Sequence, residues 1–410
     1  MCKAGGRVRT GRELRVLSVY EGFFSGGARI VHSDIVLGLT EGGQHHRVLS
    51  LYGEVHREAT RQRMTDDTCY RALTAAGVGV TSLDRTYRGT GVPDGFTGPE
   101  LAETARVTAG ADVILSLKEQ PLALLNQAGL PRRPVVVCLH RSDPENQGPA
   151  LDELKAAIAD GTVVACVCCA ESTRDAYRAA GIPADLLHVI PNGVDLARFR
   201  PDASRRRTLR AELGIDPAAP VVVFAARYDG MKNVPLLLAA ARAWLARVPH
   251  GQVLLCGAGM TAANPGLTAD IATAFAGAAG LADRGLRLLG VRRDMESLYA
   301  ASDVVALTSA WGEAAPLCLI EGMMCGAVPV ATDVGDSAAI VAGLGLVTAP
   351  DPEVIAAAWS RAVASRAGLA PALAASRERF SRTRMIASYA TLLDRAAAGT
   401  TASPALPDPL

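Results

Sequence analysis

Two glutamates flank the predicted start of a helix in the second half of the chain. Glu313 follows the apolar run 304–307, which predicts a strand, and Glu321 lies within a helix that ends near Gly326. Open α/β sheets bind ligands in loops at the carboxyl ends of their strands, and this order of elements places Glu313 there. Carboxylates accept hydrogen bonds from hydroxyl groups. The pair therefore indicates a ligand that carries hydroxyls.

The helix start between these glutamates favours an anion. Leu317 and Cys318 fall in its first turn, which has free backbone N–H groups and the positive end of the helix dipole. A diphosphate suits such a site. A nucleotide sugar has hydroxyls on both sides of a diphosphate, so we expect the amides of Leu317 and Cys318 to help to bind a ligand of this kind.

Two cations follow another predicted strand. Arg227 and Lys232 come after the apolar run 221–225, in a loop marked by Asp229 and Gly230. Arginine offers a fork of donors and lysine a point charge, so together they can bracket a diphosphate. The same charges would stabilise the negative charge that develops on a leaving nucleoside diphosphate.

The first half of the chain offers a glycine loop and one histidine. Gly26 and Gly27 follow the strand predicted at 16–20, and the missing side chains let a phosphate or an acceptor approach the backbone. His140 ends the apolar strand 135–139, and we expect it to face a cleft between two domains. The other histidines are interpreted as surface or core residues: His32, His45, His46, His56, His188 and His250.

Apolar runs alternate with helical stretches in both halves of the chain, which indicates parallel sheets with helices on both faces. The pattern stops at residues 191–193 and resumes at 221. We predict an α/β protein of two doubly wound Rossmann-like domains that face each other across a cleft.

Residues 84–99, rich in Gly, Thr and Pro, are expected to form a surface loop. The predicted bounds are 1–193 for the first domain, 194–380 for the second, 381–398 for a helix crossing back to the first, and 399–410 for a disordered tail.

Taken together, these motifs resemble the retaining glycosyltransferases of family four, which have the GT-B fold. Glu313 and Glu321, with seven residues between them, are similar to the paired-glutamate motif of that family. Pro316 matches the subgroup with proline three residues after the first glutamate. The resemblance extends over residues 15–395. Further segments match in order and spacing: 25–27, 191–195, 227–232, 257–259 and 288–303.

The resemblance implies a role for each candidate residue. Glu321 would hold the ribose hydroxyls and Glu313 the hydroxyls of the donor sugar. Arg227 and Lys232 would hold the diphosphate, and His140 would contact the transferred sugar. The first domain would bind the acceptor and the second the nucleotide sugar. Retention without a placed carboxylate nucleophile suggests a front-face mechanism, in which the leaving phosphate oxygen receives the acceptor proton.

The composition narrows the function classes. The chain has 42 Lys and Arg against 41 Asp and Glu, which gives no electrostatic reason for a nucleic-acid partner. No apolar run approaches the roughly 18 residues of a membrane span, so we expect a cytoplasmic protein with no integral membrane segment. Cys166, Cys168 and Cys169 continue an apolar run and are interpreted as buried, reduced thiols. No Asp-x-Asp pair is placed to hold an ion, so we expect neither a metal nor a cofactor besides the donor substrate.

We predict a bacterial hexosyltransferase that is independent of metal. It would move a sugar from a nucleoside-diphosphate sugar, with UDP favoured, to a hydroxyl of a small natural-product acceptor. Two alternatives remain open: a nucleotide-sugar hydrolase or epimerase of the same fold, and a non-catalytic nucleotide-sugar-binding subunit of a larger synthase. The sequence leaves the sugar, the acceptor and the oligomeric state undetermined.

Overall fold

A computed structural model describes residues 13–24, 26–57, 60–88 and 95–399 of the 410-residue chain. The described residues divide into two compact units. The first unit comprises the residues up to Gly193 together with the segment from Thr383 onward, and the second comprises Val194–Arg382. Each unit is an α/β structure built on its own sheet, as the strand and helix alternation predicts.

The first unit contains an eight-stranded sheet. Its elements in chain order are β1 (Arg15–Gly22), α1 (Gly27–Glu41), β2 (His45–Arg57), β3 (Thr60–Arg63), α2 (Thr68–Ala75), β4 (Gly79–Tyr87), α3 (Gly98–Ala109), β5 (Val113–Leu117), α4 (Leu122–Leu125), β6 (Val135–Leu139), α5 (Ala150–Ala159), β7 (Val163–Cys168), α6 (Glu171–Ala179) and β8 (Leu187–Val189). The strand order is β3-β2-β1-β5-β6-β7-β8, and β4 also pairs with β2. Only β3, which runs antiparallel to β2, departs from parallel pairing among the described strands.

The second unit contains a six-stranded parallel sheet of order β11-β10-β9-β12-β13-β14. Its elements are α7 (Ala203–Glu212), β9 (Val221–Ala225), α8 (Val234–Arg247), β10 (Gln252–Cys256), α9 (Pro265–Ala274), α10 (Ala279–Gly285), β11 (Leu286–Gly290), α11 (Met295–Ala301), β12 (Val304–Leu307), α12 (Leu317–Met324), β13 (Val328–Thr332), α13 (Ser337–Val341), β14 (Leu346–Thr348) and α14 (Pro352–Ala375). The last helix of the chain, α15 (Arg382–Ala397), belongs to the first unit from its second residue onward.

Apolar strands with two buried faces hold the second unit together. In β9, Val221 and Val223 belong to one apolar cluster, whereas Val222 and Phe224 belong to the other. Successive strand residues point to opposite faces, so a strand covered on both sides reads as an unbroken apolar run. Trp244 of α8 packs edge-on against Trp359 of α14, with ring centroids 5.9 Å apart. Helices therefore cover the sheet that carries the candidate residues on its loops.

The helix α15 is attached to the first unit by contacts with distant parts of the chain. The backbone N–H of Gly193 donates to Sδ of Met385 at 3.1 Å. The buried hydroxyl of Tyr389 donates to Sγ of Cys138 at 3.7 Å. The first unit is consequently discontinuous in sequence, because the whole second unit is inserted between its last strand and its last helix.

Several local predictions are corrected or completed by the structure. The loop predicted at 84–99 is shorter, because β4 continues to Tyr87 and a capping box between Thr97 and Glu100 begins α3 at Gly98. Cys166, Cys168 and Cys169 are buried and form no disulfide, as predicted. From residue 400 onward, the predicted disordered tail lies outside the described residues. Among the described helices, none has both the length and the apolar character that crossing a membrane requires.

Candidate active site

The loops after β9 and β12 form the centre of the candidate site in the second unit. These two strands are neighbours, with Val222 paired to Val304 and Phe224 to Ala306. The strand order reverses between them, since β10 and β11 lie on one side and β13 and β14 on the other. In open α/β sheets ligands bind in the crevice at the carboxyl ends of the strands where the order reverses. This is the position that the sequence predicts for the paired cations and glutamates.

Lys232 is held by a short turn after β9. A single 3₁₀ turn runs from Gly230 to Lys232, and the carboxylate of Asp229 caps it by accepting from the N–H of Met231 at 2.9 Å. Asn233 follows in the left-handed conformation with φ 50°, and its side chain caps α8. The ammonium group of Lys232 forms an ion pair with the carboxylate of Glu313.

Glu313 is buried, with 6% of its surface exposed. The same carboxylate oxygen that meets Lys232 also accepts a hydrogen bond from the hydroxyl of Ser309 at 2.6 Å. Two glycines in two loops shape the backbone here. Gly312, in the loop of Glu313, has φ 72°. Gly335, in the loop after β13, has φ 59°, and a Cβ added to it would lie only 2.4 Å from the carbonyl oxygen of Glu313. Sequence reasoning did not identify Ser309, although it is a hydroxyl residue four positions before Glu313 at the end of an apolar strand.

Arg227 lies on the same loop as Lys232, after β9, but in a different environment. Its Nε donates to the carboxylate of Asp229 at 2.8 Å, and 30% of its side chain is exposed. Within the part of the chain that the structure describes, the two terminal nitrogens of the guanidinium make no hydrogen bond. They remain as donors for an anionic ligand, and a fork of this kind suits phosphate oxygens.

The start of α12 has no side-chain cap. Pro316 occupies the N-cap position, and the first turn contains Leu317 and Cys318. Within the described residues the N–H groups of Leu317 and Cys318 have no hydrogen-bond acceptor, so they are open to an anion. Gly322 lets the helix approach its strand, because a Cβ there would come 2.6 Å from the side chain of Val305. Burial raises the pKa of the Cys318 thiol to about 12, so this thiol adds no negative charge to the anion site.

Glu321 lies one turn further along α12 and is half-buried. Its carboxylate accepts a hydrogen bond from the buried hydroxyl of Tyr299 on α11. The charges of Lys232, Glu313 and Glu321 all act on the thiol of Cys318. The cation and both carboxylates therefore lie around the first turn of α12, which is the arrangement that the spacing in the sequence predicts.

The remaining candidates belong to the first unit. Gly27 is the first residue of α1, and Gly26 is its N-cap in an extended conformation. A Cβ built on Gly26 would find no heavy atom within 4 Å, so the backbone is open there; Ser25 lies outside the described residues. His140 directly follows β6 and is half-buried. Burial and the charge of Lys118 lower the pKa of His140 to about 3, so its imidazole is neutral near neutral pH.

Comparison with known proteins identifies the family. The model described as "Glycosyltransferase Family 4" matches residues 26–198, and the model described as "Glycosyl transferases group 1" matches residues 219–365. The chain belongs to glycosyltransferase family four. The two models cover the larger part of both units, and residues 26 and 27, 140, 227, 232, 313 and 321 all fall within them.

Curated relatives carry one repeated name. The D-inositol 3-phosphate glycosyltransferase of Xylanimonas cellulosilytica is 34% identical over 203 residues, which are 48% of this chain and 46% of that protein. The corresponding enzyme of Rhodococcus jostii is 34% identical over 170 residues, which are 40% of this chain and 36% of that protein. The chain spans less than half the length of these curated relatives.

Solved structures show the fold over nearly the whole chain. Anabaena Alr3699/HepE in complex with UDP has a TM-score of 0.74 at 22% identity and covers 93% of this chain and 100% of that one. Sucrose-phosphate synthase from Thermosynechococcus elongatus has a TM-score of 0.67 at 20% identity, with 94% and 100% covered. The predicted fold class of two Rossmann-like domains, the GT-B fold, is confirmed.

Proposed function

We propose that this protein is a retaining glycosyltransferase that uses a nucleoside-diphosphate sugar, with UDP favoured, and transfers the sugar to a hydroxyl of a small acceptor. One observation carries the proposal: the Lys232–Glu313 ion pair lies beside the uncapped start of α12, with Glu321 one turn along the helix. Family membership supports the transferase activity. The choice of UDP is supported by the structural similarity to a protein whose crystals contain UDP and UDP-glucose.

Charge placement explains how the site would bind the donor. The diphosphate would lie between the guanidinium of Arg227, the ammonium of Lys232 and the amides at the start of α12. The carboxylate of Glu321 would accept from the ribose hydroxyls. Glu313, directed by Lys232 and Ser309, would accept from hydroxyls of the donor sugar. These groups are fixed before the ligand arrives, so little reorganisation is needed as charge develops.

The state of Glu313 favours a front-face route over a double displacement. Its carboxylate is buried, paired with Lys232 and hydrogen-bonded by Ser309, and each of these contacts stabilises the anion and lowers its nucleophilicity. In the front-face route the bond from the anomeric carbon to the phosphate oxygen breaks while the acceptor oxygen bonds to the same face. The departing phosphate oxygen takes the proton of the acceptor hydroxyl, which balances the reaction.

The test combines nucleotide binding with product analysis. We expect calorimetry to show UDP binding more tightly than ADP or GDP. With the best donor and a panel of hydroxyl acceptors, nuclear magnetic resonance is expected to show a glycoside with the anomeric configuration of the donor. EDTA is expected to leave the rate unchanged. Release of free sugar at the same rate with and without acceptor would instead indicate a hydrolase, and loss of turnover in EDTA that Mg²⁺ restores would contradict the metal-independent site.

A matched pair of variants links the activity to the site. Lys232→Ala removes the ammonium beside Glu313, whereas Lys155→Ala removes an exposed lysine of α5 in the other unit. We expect transfer to fall in the first variant and to be unchanged in the second. Normal transfer by Lys232→Ala would mean that the reaction takes place elsewhere.

A further inference from the structure

The first unit has its own point of strand-order reversal, and polar residues meet there. In the order β3-β2-β1-β5-β6-β7-β8 the reversal falls between β1 and β5. Glu21 lies at the carboxyl end of β1, and Lys118 and Glu119 directly follow β5. His140 follows β6, the next strand along. By the rule that places ligands at such reversals, this edge is the expected ligand site of the first unit. We call Glu21, Lys118, Glu119 and His140 the reversal cluster.

Three features of the reversal cluster cost stability. Glu119 is 2% exposed, and its Oε1 has no hydrogen-bond partner among the described residues. Nε2 of His140 is likewise buried and without a partner there. Lys118 has φ 67°, a left-handed conformation that residues with a side chain rarely adopt. Unpaired buried polar groups and strained backbone each lower the stability of a fold, and they cluster where binding or catalysis uses them.

Among the described residues, one carboxylate of the cluster has no ion-pair partner. The ammonium of Lys118 lies 3.7 Å from the carboxylate of Glu21. Nearby, Arg141 pairs with Asp143 in two hydrogen bonds of 2.7 and 2.6 Å. Among the described residues no cation forms an ion pair with Glu119, although the charges of Lys118 and Arg141 act on it from further away. Burial outweighs them and raises the pKa of the Glu119 carboxyl group to about 7. The neutral imidazole of His140 brings no charge. Among the described residues, Glu119 therefore lacks a cation in direct ion-pair contact with its carboxylate.

Resting on the proposed function, we infer that the reversal cluster is the acceptor subsite and that Glu119 receives a protonated amine of the acceptor. The acceptor would then be an amine-bearing sugar or cyclitol, with the unpaired Nε2 of His140 accepting from one of its hydroxyls. An ammonium next to Glu119 supplies both the missing hydrogen bond and the missing charge. A phosphorylated polyol would place a second anion beside a buried carboxylate, which opposes binding. The acceptor would therefore differ in charge from the inositol phosphate in the names of the curated relatives.

Three sugars of similar shape and different charge test this inference. Glucosamine, glucose and glucose 6-phosphate are titrated by calorimetry into the protein saturated with UDP at pH 7. We expect glucosamine to bind at least tenfold more tightly than glucose, and glucose 6-phosphate to bind most weakly. Glu119→Gln is expected to reduce the preference for glucosamine over glucose to less than threefold, with the affinity for UDP unchanged. Glu171→Gln is the control, because it removes an exposed carboxylate at the start of α6 that is already paired with Arg174 at 2.5 Å.

The outcomes separate this inference from the proposed function. If the wild-type protein binds UDP but prefers glucose or glucose 6-phosphate, or binds none of the three sugars at millimolar concentration, the inference is overturned and the proposed function stands. An unchanged amine preference in Glu119→Gln overturns it as well. If the protein does not bind UDP, the proposed function itself fails. Should Glu119→Gln not fold, which thermal melting shows, the ranking of the three sugars by the wild-type protein still decides.

Discussion

The carboxylate of Asp303 and the guanidinium of Arg210 form an ion pair at 3.0 Å, in which Arg210 has only 3% of its side chain exposed. Two further arginines, Arg206 at 2.7 Å and Arg366 at 3.5 Å, meet the same carboxylate, which also accepts from the N–H of Val221. Asp303 directly precedes β12, so this pair anchors the strand from which Glu313 extends.

Asp303→Asn is expected to destabilise the protein. Removing the charge leaves Arg210 buried without its counter-ion, a change that costs about 3–5 kcal/mol in buried pairs. Urea unfolding measures the loss. Glu353→Gln is the control, because Glu353 pairs with Arg247 at the surface, with 64% and 52% of the side chains exposed, and such pairs contribute about 0–1 kcal/mol. Equal effects of the two changes would mean that Asp303 is not an anchor.

Arg227→Ala and Lys232→Ala are each expected to lower kcat/KM by roughly a hundredfold or more, because each removes a charge that stabilises the leaving diphosphate. The two variants should differ in stability. Arg227 is partly exposed, whereas loss of Lys232 leaves the buried Glu313 without its cation. We therefore expect thermal melting to show a lower Tm for Lys232→Ala but not for Arg227→Ala. Adding Glu313→Gln to Lys232→Ala should recover part of the lost Tm without recovering activity. If the effects of Lys232→Ala and Glu313→Gln on stability were fully additive, that would argue against an ion pair between the two residues.

Glu321→Gln is expected to weaken the binding of free UDP by about 1–2 kcal/mol, the difference between a charge-assisted and a neutral hydrogen bond. Tyr299→Phe tests the hydrogen bond that positions Glu321, because it removes the hydroxyl that donates to Glu321 and keeps the aromatic ring. We expect a smaller loss of UDP affinity in Tyr299→Phe. Calorimetry gives both values, and an unchanged UDP affinity in Glu321→Gln would remove Glu321 from the ribose role.

His140→Ala is expected to bind free UDP as the parent protein does, because UDP carries neither the donor sugar nor the acceptor that His140 would contact, and to lose tenfold to a thousandfold in turnover. The pH dependence adds a second readout. With the pKa of His140 lowered to about 3, the imidazole stays neutral above pH 5, so titration of His140 contributes no limb to the rate profile there. A limb of the pH–rate profile near pH 6.5 that disappears in His140→Ala would contradict this assignment. Normal turnover in His140→Ala would mean that His140 takes no part in the reaction.

Three histidines of the first unit are expected to make the protein sensitive to acid. Burial lowers the pKa of His32 well below its ordinary value and the pKa values of His46 and His140 to about 3. Below about pH 6.5 the unfolded chain binds protons that the folded chain does not, so stability is full above that pH and falls as the pH drops. Glu119, with its pKa raised to about 7, contributes in the opposite sense over the same window, because the folded chain there holds the extra proton.

Urea unfolding at pH 7 and pH 5 measures this sensitivity. His32→Leu is expected to reduce the loss of stability between the two values, because neither ring nitrogen of His32 has a partner among the described residues and leucine removes the titration. His250→Leu changes an exposed histidine and should leave the loss of stability between pH 7 and pH 5 unchanged. The same pH dependence in both variants would exclude His32 as a source of it.

Features with a regular local signal were predictable from sequence. The unbroken apolar run of β9 and the glutamate spacing around α12 follow from periodicity and from the rules for helix starts, and the paired glutamates pointed to the family. Elements whose pairing is decided by tertiary contacts were missed. The strand β3 is short and polar, and it exists because the long β2 offers residues 54–57 as a partner. The three-residue β14 is too short to show any period.

The candidate site was predictable residue by residue but not contact by contact. Lys232 and Glu313 are 81 positions apart, and nothing local to either residue indicates that they form an ion pair. The same holds for Glu119, whose missing partner becomes visible only once the surrounding strands are placed. Asp303 is a buried counter-ion for arginines that lie far away in sequence, which no pattern of spacing indicates.

The insertion of the second unit between β8 and α15 fixes an order of events during synthesis. While the ribosome makes residues 194–382, the first unit has all of its strands but lacks Met385 and Tyr389, so Gly193 and Cys138 have no partners there. The first unit is thus completed last, although its sheet is made first. A nascent chain stalled before α15 would therefore carry a complete second unit and an incomplete first unit. During that interval a chaperone would protect the incomplete first unit.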